Sequence, residues 1–294
     1  MNSFHTPVLA KEVIDFLKPQ SDKTYIDATL GNGGHTIKLL QAGATVYGID
    51  LDPKNLAKAT KRIKSVGLSK NFIGINDNFS NIKNIHKKTI KKPVDGILFD
   101  LGLSQNQQKS TNRGFSFNDD LSLDMRINPN TQAITADHIV NTYSQQQLFE
   151  IFSKYSQDKF SQPISHLIVN TRKNHPIHTA KKLSDLIQDY YKSRSFQGRL
   201  HPATKIFLSL KIAVNSELTN LSLALNDSLN LIKKDAYILI ITFHSTEDRL
   251  VKNFIRNCQK DNTIKNSIKI KPTFTEIKAN PLSRSALLRA FQIS

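Results

Sequence analysis

The chain has 294 residues, 38% of them hydrophobic, with a formal charge of +17 and one cysteine. That length buries one large core, or one core and a smaller satellite domain, and excludes a mostly disordered chain. The lone Cys258 excludes a disulfide framework and cysteine-rich metal sites, which fits a reducing cytoplasmic compartment and implies no metal.

The opening MNSFHTPVLAKEVIDFL lacks a basic head followed by an apolar run of signal length, and no later window holds the roughly 18 uninterrupted apolar residues of a membrane helix, so no membrane partner is expected. An amphipathic stretch runs from Val8 to Leu17 and stops near Pro19. Then come a strand at Thr24 to Ala28, a helix from Gly34 to Gln41, a strand at Thr45 to Asp50, a helix opening at Pro53 and a strand at Asn71 to Ile75. After a helical NIKNIHKKTIKK, the segment VDGILFDLGL reads as a buried strand. This alternation predicts right-handed crossovers and a mostly parallel sheet.

The rhythm breaks after about Leu103. A polar region to Asn130 is followed by helical patterns only, such as SQQQLFEIFSKY and TAKKLSDLIQDYY. It resumes near His201 with a long helical pattern through Leu231, a strand AYILIITF (Ala236 to Phe243), a helix from Ser245 and a last strand near Ala286 to Ile293. The expected architecture is one α/β domain formed by residues 1–105 and 201–294, interrupted by a mostly helical insertion at 106–200.

The turn in YIDATLGNGGHTIKLL sits between strand and helix, where Gly31, Gly33 and Gly34 remove Cβ atoms from a ligand's path and the next helix offers free N–H groups. Asp50, nineteen residues beyond Gly31, closes the second strand, where a carboxylate can accept both hydroxyl hydrogens of a ribose. The pattern points to a nucleoside ligand. A dinucleotide fingerprint requires a small residue where Thr36 stands, so S-adenosylmethionine, which has no phosphate, is favoured over NAD. An ordinary tight turn beside an exposed acid is the plain alternative.

Several further stretches carry a more specific signal: HTPVLAKEVIDFL, YIDATLGNGGHT, GIDLDP, NFSNI, DGILFDLGLS, RGFSF, LDMRI, VNTYS, HPATKIFLSLKIAVNSEL, ITFHSTEDR and NPLSRSALLR, spanning His5 to Arg289. Together they resemble the RsmH (MraW) family of S-adenosylmethionine-dependent methyltransferases, which modify N4 of a cytidine in the decoding region of 16S rRNA, cytosine 1402. The resemblance implies a class I, Rossmann-like methyltransferase fold, S-adenosyl-L-methionine as cofactor, and 16S rRNA, within the small ribosomal subunit, as partner. It leaves monomer or homodimer open. Matched residue by residue, it implies cofactor binding by Gly33, Gly34, His35, Asp50, Phe79 against the adenine, Asp100 and Gln107. On their own residues, His35 would pass for a first-turn helix residue and Phe79 for core. The sequence departs from the family at Gln105-Asn106, at Gln108-Lys109, at Pro163 and at Lys233-Lys234-Asp235, which puts local loop shape in question, that around Gln107 most of all.

Transfer to an exocyclic amine demands alignment of a delocalised lone pair and acceptors for its hydrogens. Asp100, the carbonyls of Leu101 to Leu103 and the Ser104 hydroxyl are the acceptors at the end of the DLGLS strand, and Asp100 is the catalytic candidate. The alternative for Asp100 is a strand-end cap.

The target base must leave its stack, at the expense of RNA-binding energy. The +17 charge fits such a partner, although 31 of the 41 basic residues are lysine, as a compositionally biased genome would also produce. Arg113, Arg126 and Arg199 are expected to hold RNA; internal ion pairs of Arg126 with Asp124 and Arg249 with Asp248 are the competing reading. In HSTEDR, Ser245 reads as a helix N-cap with Asp248 three residues on, and His244 beside Ser245 as structural rather than a nucleophile pair. An NAD-linked oxidoreductase and a non-catalytic RNA-binding protein on the same fold are the remaining alternatives.

Overall fold

The computed structural model describes residues 6–104, 107, 112–195, 198 and 200–294. The chain divides into two compact units, Met1–Ser104 with Leu218–Ser294, and Gln105–Glu217.

In the first unit, α1 (Ala10–Leu17) precedes β1 (Thr24–Asp27), α2 (Gly34–Gln41), β2 (Thr45–Asp50), α3 (Pro53–Ser65), β3 (Phe72–Asn76), α4 (Ile82–Ile85) and β4 (Val94–Asp100). Each boundary has a local cause. At the start of α3, the Asp52 side chain accepts from the Lys54 N–H at 3.0 Å, with Pro53 in the first turn. The expected helix after Asn81 is short: α4 passes into a π turn at His86–Ile90 that ends at Lys91, whose φ is +61°.

The chain returns to this unit in β5 (Ile232–Thr242), β6 (Ile264–Ile270) and β7 (Leu287–Ile293). The seven-stranded sheet has the order β3-β2-β1-β4-β5-β7-β6. Strands β3 through β5 pair in parallel, and β7 runs antiparallel to both β5 and β6. The inner strands are buried on both faces, as crossover helices require: β1 is buried at every residue, and Ile97, Leu98, Ile238, Leu239, Ile240 and Ile241 are fully enclosed. β6, IKNSIKI, is a polar edge strand exposed at most positions, and its alternation is too weak to read from sequence.

The second unit holds α5 (Ala136–Thr142), α6 (Gln145–Ser156), α7 (Ser161–Asn174), α8 (Ala180–Ser193) and α9 (Thr204–Asn215) around a separate core that includes Leu148, Phe152, Ile164, Ile168, Leu183 and Leu210. A capping box of Ser144 and Gln147 starts α6. This unit runs to Glu217, whereas the sequence pattern sets the end of the insertion at 200. The long helical pattern after His201 is two helices, α9 and α10 (Glu217–Ser228), broken at Ser216 with φ of +50°. The break has a tertiary cause: buried Asn215 donates to the Met125 carbonyl and accepts from the Ile127 N–H, pinning the end of α9 inside the second unit. Among the described residues, no helix is long and apolar enough to cross a membrane.

Candidate functional site

The strand order reverses between β1 and β4, and a ligand crevice forms outside the carboxyl ends of the strands at such a switch point. The tips of β1, β2 and β4 end on Asp27, Asp50 and Asp100.

The glycine turn is built against Asp50. Gly31 and Gly33 adopt φ of +51° and +72°, a left-handed backbone that L side chains rarely take, and Gly33 caps α2. The Gly31 N–H donates to Asp50 Oδ2 at 2.8 Å, and the Asp52 N–H donates to Asp50 Oδ1 at 2.8 Å. The Asn55 side chain is a third hydrogen-bond partner of this carboxyl, so a ribose diol would draw on the acceptor capacity that remains. Burial is the main influence on this carboxyl and raises its pKa to about 7, against the lowering by the two backbone N–H groups. The third glycine has another use: a Cβ on Gly34 would lie 3.2 Å from Pro7, so its absence admits protein rather than ligand.

Asp27 and Thr36, which the family resemblance leaves out of the site, are joined to each other at the tip of β1. Asp27, 1% exposed, accepts from the Thr36 hydroxyl at 2.7 Å, and burial pushes its pKa upward. Thr36 therefore stands where a dinucleotide site places a small residue because it supplies the donor that a buried carboxylate needs. Thr29 links two tips, its Oγ1 accepting from the Asp100 N–H at 2.6 Å. The available signal was the Asp-Ala-Thr following the strand.

His35, on α2, is 5% exposed, and its Nε2 lies 3.5 Å from Asp100 Oδ2. Neither ring nitrogen of His35 nor Asp100 Oδ1 has a hydrogen-bond partner, although all three atoms are buried. Buried polar groups rarely remain unmatched, so these three atoms point to a polar ligand at this place. Such a group fits S-adenosylmethionine, with its ammonium, carboxylate and ribose to satisfy. Ser104, another acceptor at this strand end, donates its hydroxyl to Asn55 Oδ1 at 3.1 Å.

Phe79 begins a short 3-10 turn after β3 and stands edge-on to Phe99, with centroids 5.9 Å apart at 84°. Asn76, which pairs with Asp50 across the strands, donates to the Asp50 and Leu51 carbonyls and holds that corner together. Of the expected residues, Asp50 and Asp100 end β2 and β4, His35 lies on α2 and Phe79 in the turn after β3, all in one unit with the glycine turn. Gln107 lies in the second unit, where it is buried; Gln105, Asn106, Gln108 and Lys109 lie outside the described residues.

The RGFSF and LDMRI motifs serve the second unit's own fold. Asp119 accepts from the Arg113 and Gly114 N–H groups, and the Met125 N–H donates to the Arg113 carbonyl. The Arg113 guanidinium donates to the Arg126 and Ile127 carbonyls. Arg126 makes a two-pronged ion pair with Asp124 at 2.7 and 2.8 Å and donates to the Gln132 carbonyl. The internal reading thus replaces the RNA-holding one for Arg126. Asp248 pairs with Arg289 at 2.6 Å rather than with Arg249, and Arg199 lies outside the described residues.

At HSTEDR the N-cap is His244, not Ser245. Its Nδ1 accepts from the Glu247 N–H, while Glu247 Oε2 accepts from the Phe243 N–H, a reciprocal cap one residue earlier than expected.

The chain is similar to known proteins over nearly its whole length. The chain matches the MraW methylase family over residues 2–294. It is 38% identical over 305 residues to the ribosomal RNA small subunit methyltransferase H of Halothermothrix orenii, covering 97% of each chain. It is 40% identical over 289 residues to the protein of that name from Persephonella marina, again covering 97% of each. Among solved structures, SMU.1697c from Streptococcus mutans, in complex with SAH, aligns with a TM-score of 0.50 at 13% identity, covering 99% of this chain and 100% of that one. That likeness concerns the fold alone, the class I methyltransferase arrangement of a seven-stranded, mostly parallel sheet with flanking helices. With a family match running nearly end to end and relatives alike over almost their whole lengths, the chain belongs to the MraW methylase family.

Proposed function

We propose that this S-adenosylmethionine-dependent methyltransferase modifies small-subunit ribosomal RNA, at N4 of a cytidine in the decoding region, the position numbered 1402. The observation that carries the reading is the unmatched set of His35 Nδ1 and Nε2 and Asp100 Oδ1, buried together where the strand order reverses. The naming of the relatives as small-subunit rRNA methyltransferases supports the substrate class.

Gly33, Gly34, His35, Asp50, Phe79, Asp100 and Gln107 are assigned to the cofactor. Asp50 receives the ribose hydroxyls, and Phe79 offers an aromatic face to the adenine. S-adenosylmethionine supplies an electrophilic methyl group when bound. The chain's part is alignment and proton acceptance: the methyl carbon would pass to the amine nitrogen as its bond to the sulfonium sulfur breaks and leaves the electron pair on sulfur, and Asp100 is the acceptor assigned to the departing N–H proton. The second unit is assigned to RNA recognition, and the cytoplasm, where small subunits are assembled, is the assigned compartment.

The test incubates purified protein and S-adenosylmethionine with free small-subunit RNA and, separately, with intact subunits. Mass spectrometry then identifies the modified nucleoside. N4-methylcytidine at the decoding site is expected; methylation at another atom, or none on either substrate, overturns the reading.

A further inference from the structure

A cavity of the first unit lies away from the glycine turn. It is a hollow of about 360 Å³ at the other side of the same sheet edge, where the carboxyl end of β5 meets the start of β7. Its lining includes Phe243 and Ser245 beside Lys271, Pro272 and Arg284.

The charges around it do not cancel. Asp248 also lines the cavity, but both of its oxygens accept from Arg289, at 2.6 and 3.1 Å. Glu247 is turned back to the Phe243 N–H and to His244. Lys271 and Arg284, by contrast, are exposed and make no hydrogen bond or ion pair among the described residues. Two cations therefore face the hollow with no acid to neutralise them, at the opening turn of α11 (Ser245–Lys260), whose dipole adds positive potential.

The position relates the hollow to the chemistry. Asp100 is paired with Ile241, and Thr242, the last residue of β5, lines the cavity together with Phe243 beyond it. Strands stand about 4.8 Å apart, so the hollow is one to two strands, roughly 5–10 Å, from the Asp100 tip, a span comparable to the separation of a base edge from the backbone that carries it. Two residues beyond Pro272, Phe274 opens α12 (Phe274–Ala279) and is 82% exposed, the most exposed large hydrophobic residue described. An exposed aromatic beside unpaired cations is the combination with which proteins stack a base and hold its phosphate.

We propose that this hollow is a backbone-phosphate subsite, with Lys271 and Arg284 clamping a phosphodiester of the RNA strand that carries or adjoins the target nucleotide, and Phe274 available to a flanking base. The inference rests on the RNA reading above and specifies where that RNA is held. Arg284 supplies a planar donor fork and Lys271 a point charge, which suits a tetrahedral anion approached from two sides.

The experiment measures binding of a fluorescein-labelled single-stranded RNA containing the target sequence by anisotropy, across a salt series, together with methylation kinetics. The variants are Lys271→Gln, Arg284→Gln and their combination, with Lys260→Gln, at the far end of α11, as a control equal in charge to each single variant. The double variant is expected to bind RNA about tenfold more weakly, as loss of a charged hydrogen-bonding pair produces. Its log affinity against log salt should flatten by about 0.7 for one phosphate of a single strand. S-adenosylmethionine affinity should be unchanged, the effect should fall on KM for RNA, and Arg284→Lys should restore part of the binding. Equal RNA affinity and salt slope in wild type and double variant overturn the subsite, as does a loss in Lys260→Gln equal to that of either single variant, which would make the effect one of net charge. A protein that loses RNA binding through these variants yet never methylates cytidine keeps the subsite and refutes only the function assigned above.

Discussion

His35 and Asp100 face each other across the strand-order reversal, Nε2 to Oδ2 at 3.5 Å, with both ring nitrogens and Asp100 Oδ1 buried and unmatched. At 3.5 Å with no satisfied geometry, the pair is not a stable internal bridge. It is a set of buried polar atoms whose hydrogen bonds the protein itself leaves open.

Asp100→Ala is expected to lower kcat by about a hundredfold or more, the scale of a lost general acid-base or preorganised polar group, while RNA retention on a filter stays at the wild-type level. Asp100→Asn separates the acceptor from its charge. Methylation by the alanine variant at wild-type rate would remove the residue from the chemistry.

Asp50 predicts a pH dependence of cofactor binding. Burial pushes its carboxyl up to about 7, and the ribose hydroxyls proposed for it would donate to the ionised form. Affinity should therefore be full above that value and weaken by up to about tenfold per unit as pH falls below it. Folding runs the other way: the folded chain holds this proton where the unfolded chain has lost it, so the group's contribution to stability declines as pH rises from about 4 to about 7. Calorimetric titration of S-adenosylmethionine from pH 5.5 to 8.5, repeated with Asp50→Ala, checks this; a flat profile in the wild type contradicts it.

Thr36→Val keeps the shape of the side chain and removes the hydroxyl that Asp27 accepts. Leaving a buried carboxyl short of a donor should cost about 1–3 kcal/mol and lower the thermal midpoint by several degrees. An unchanged midpoint would show that Asp27 is satisfied by other means.

Arg126→Ala should act on folding rather than on RNA. Its guanidinium is engaged by Asp124 and by the Gln132 carbonyl, so the substitution strands a carboxylate and a loop carbonyl. A lower unfolding midpoint with an unaltered salt slope of RNA binding is expected; a slope flattened by about 0.7 would return the residue to the RNA interface.

Gly33→Ala forces an L side chain into φ of +72° and sets its Cβ 3.4 Å from that of Ala59. A loss of about 1–2 kcal/mol is expected, with weaker cofactor binding as α2 shifts. Equilibrium denaturation in urea measures the first effect and cofactor titration the second.

Local pattern carried much of this protein. The limits of α2 and β2 follow from a glycine turn, a buried alternation and a closing acid, all within a few residues, and these signals survive folding because crossover helices and inner strands need continuous apolar runs. The motif series likewise carried the family from residues alone. What sequence did not disclose depends on partners far along the chain. Helix α9 ends at Asn215 because Met125 and Ile127, some ninety residues earlier, bind its amide. The His244 cap depends on how Glu247 folds back on Phe243. Arginines that composition offers equally to RNA are divided by their neighbours: Arg126 and Arg289 are spent on Asp124 and Asp248, while Arg284 is left facing a hollow. A residue's type and spacing set what chemistry it can perform, but whether that capacity is consumed inside the fold or left for a ligand is decided by which groups the tertiary structure brings within hydrogen-bond distance.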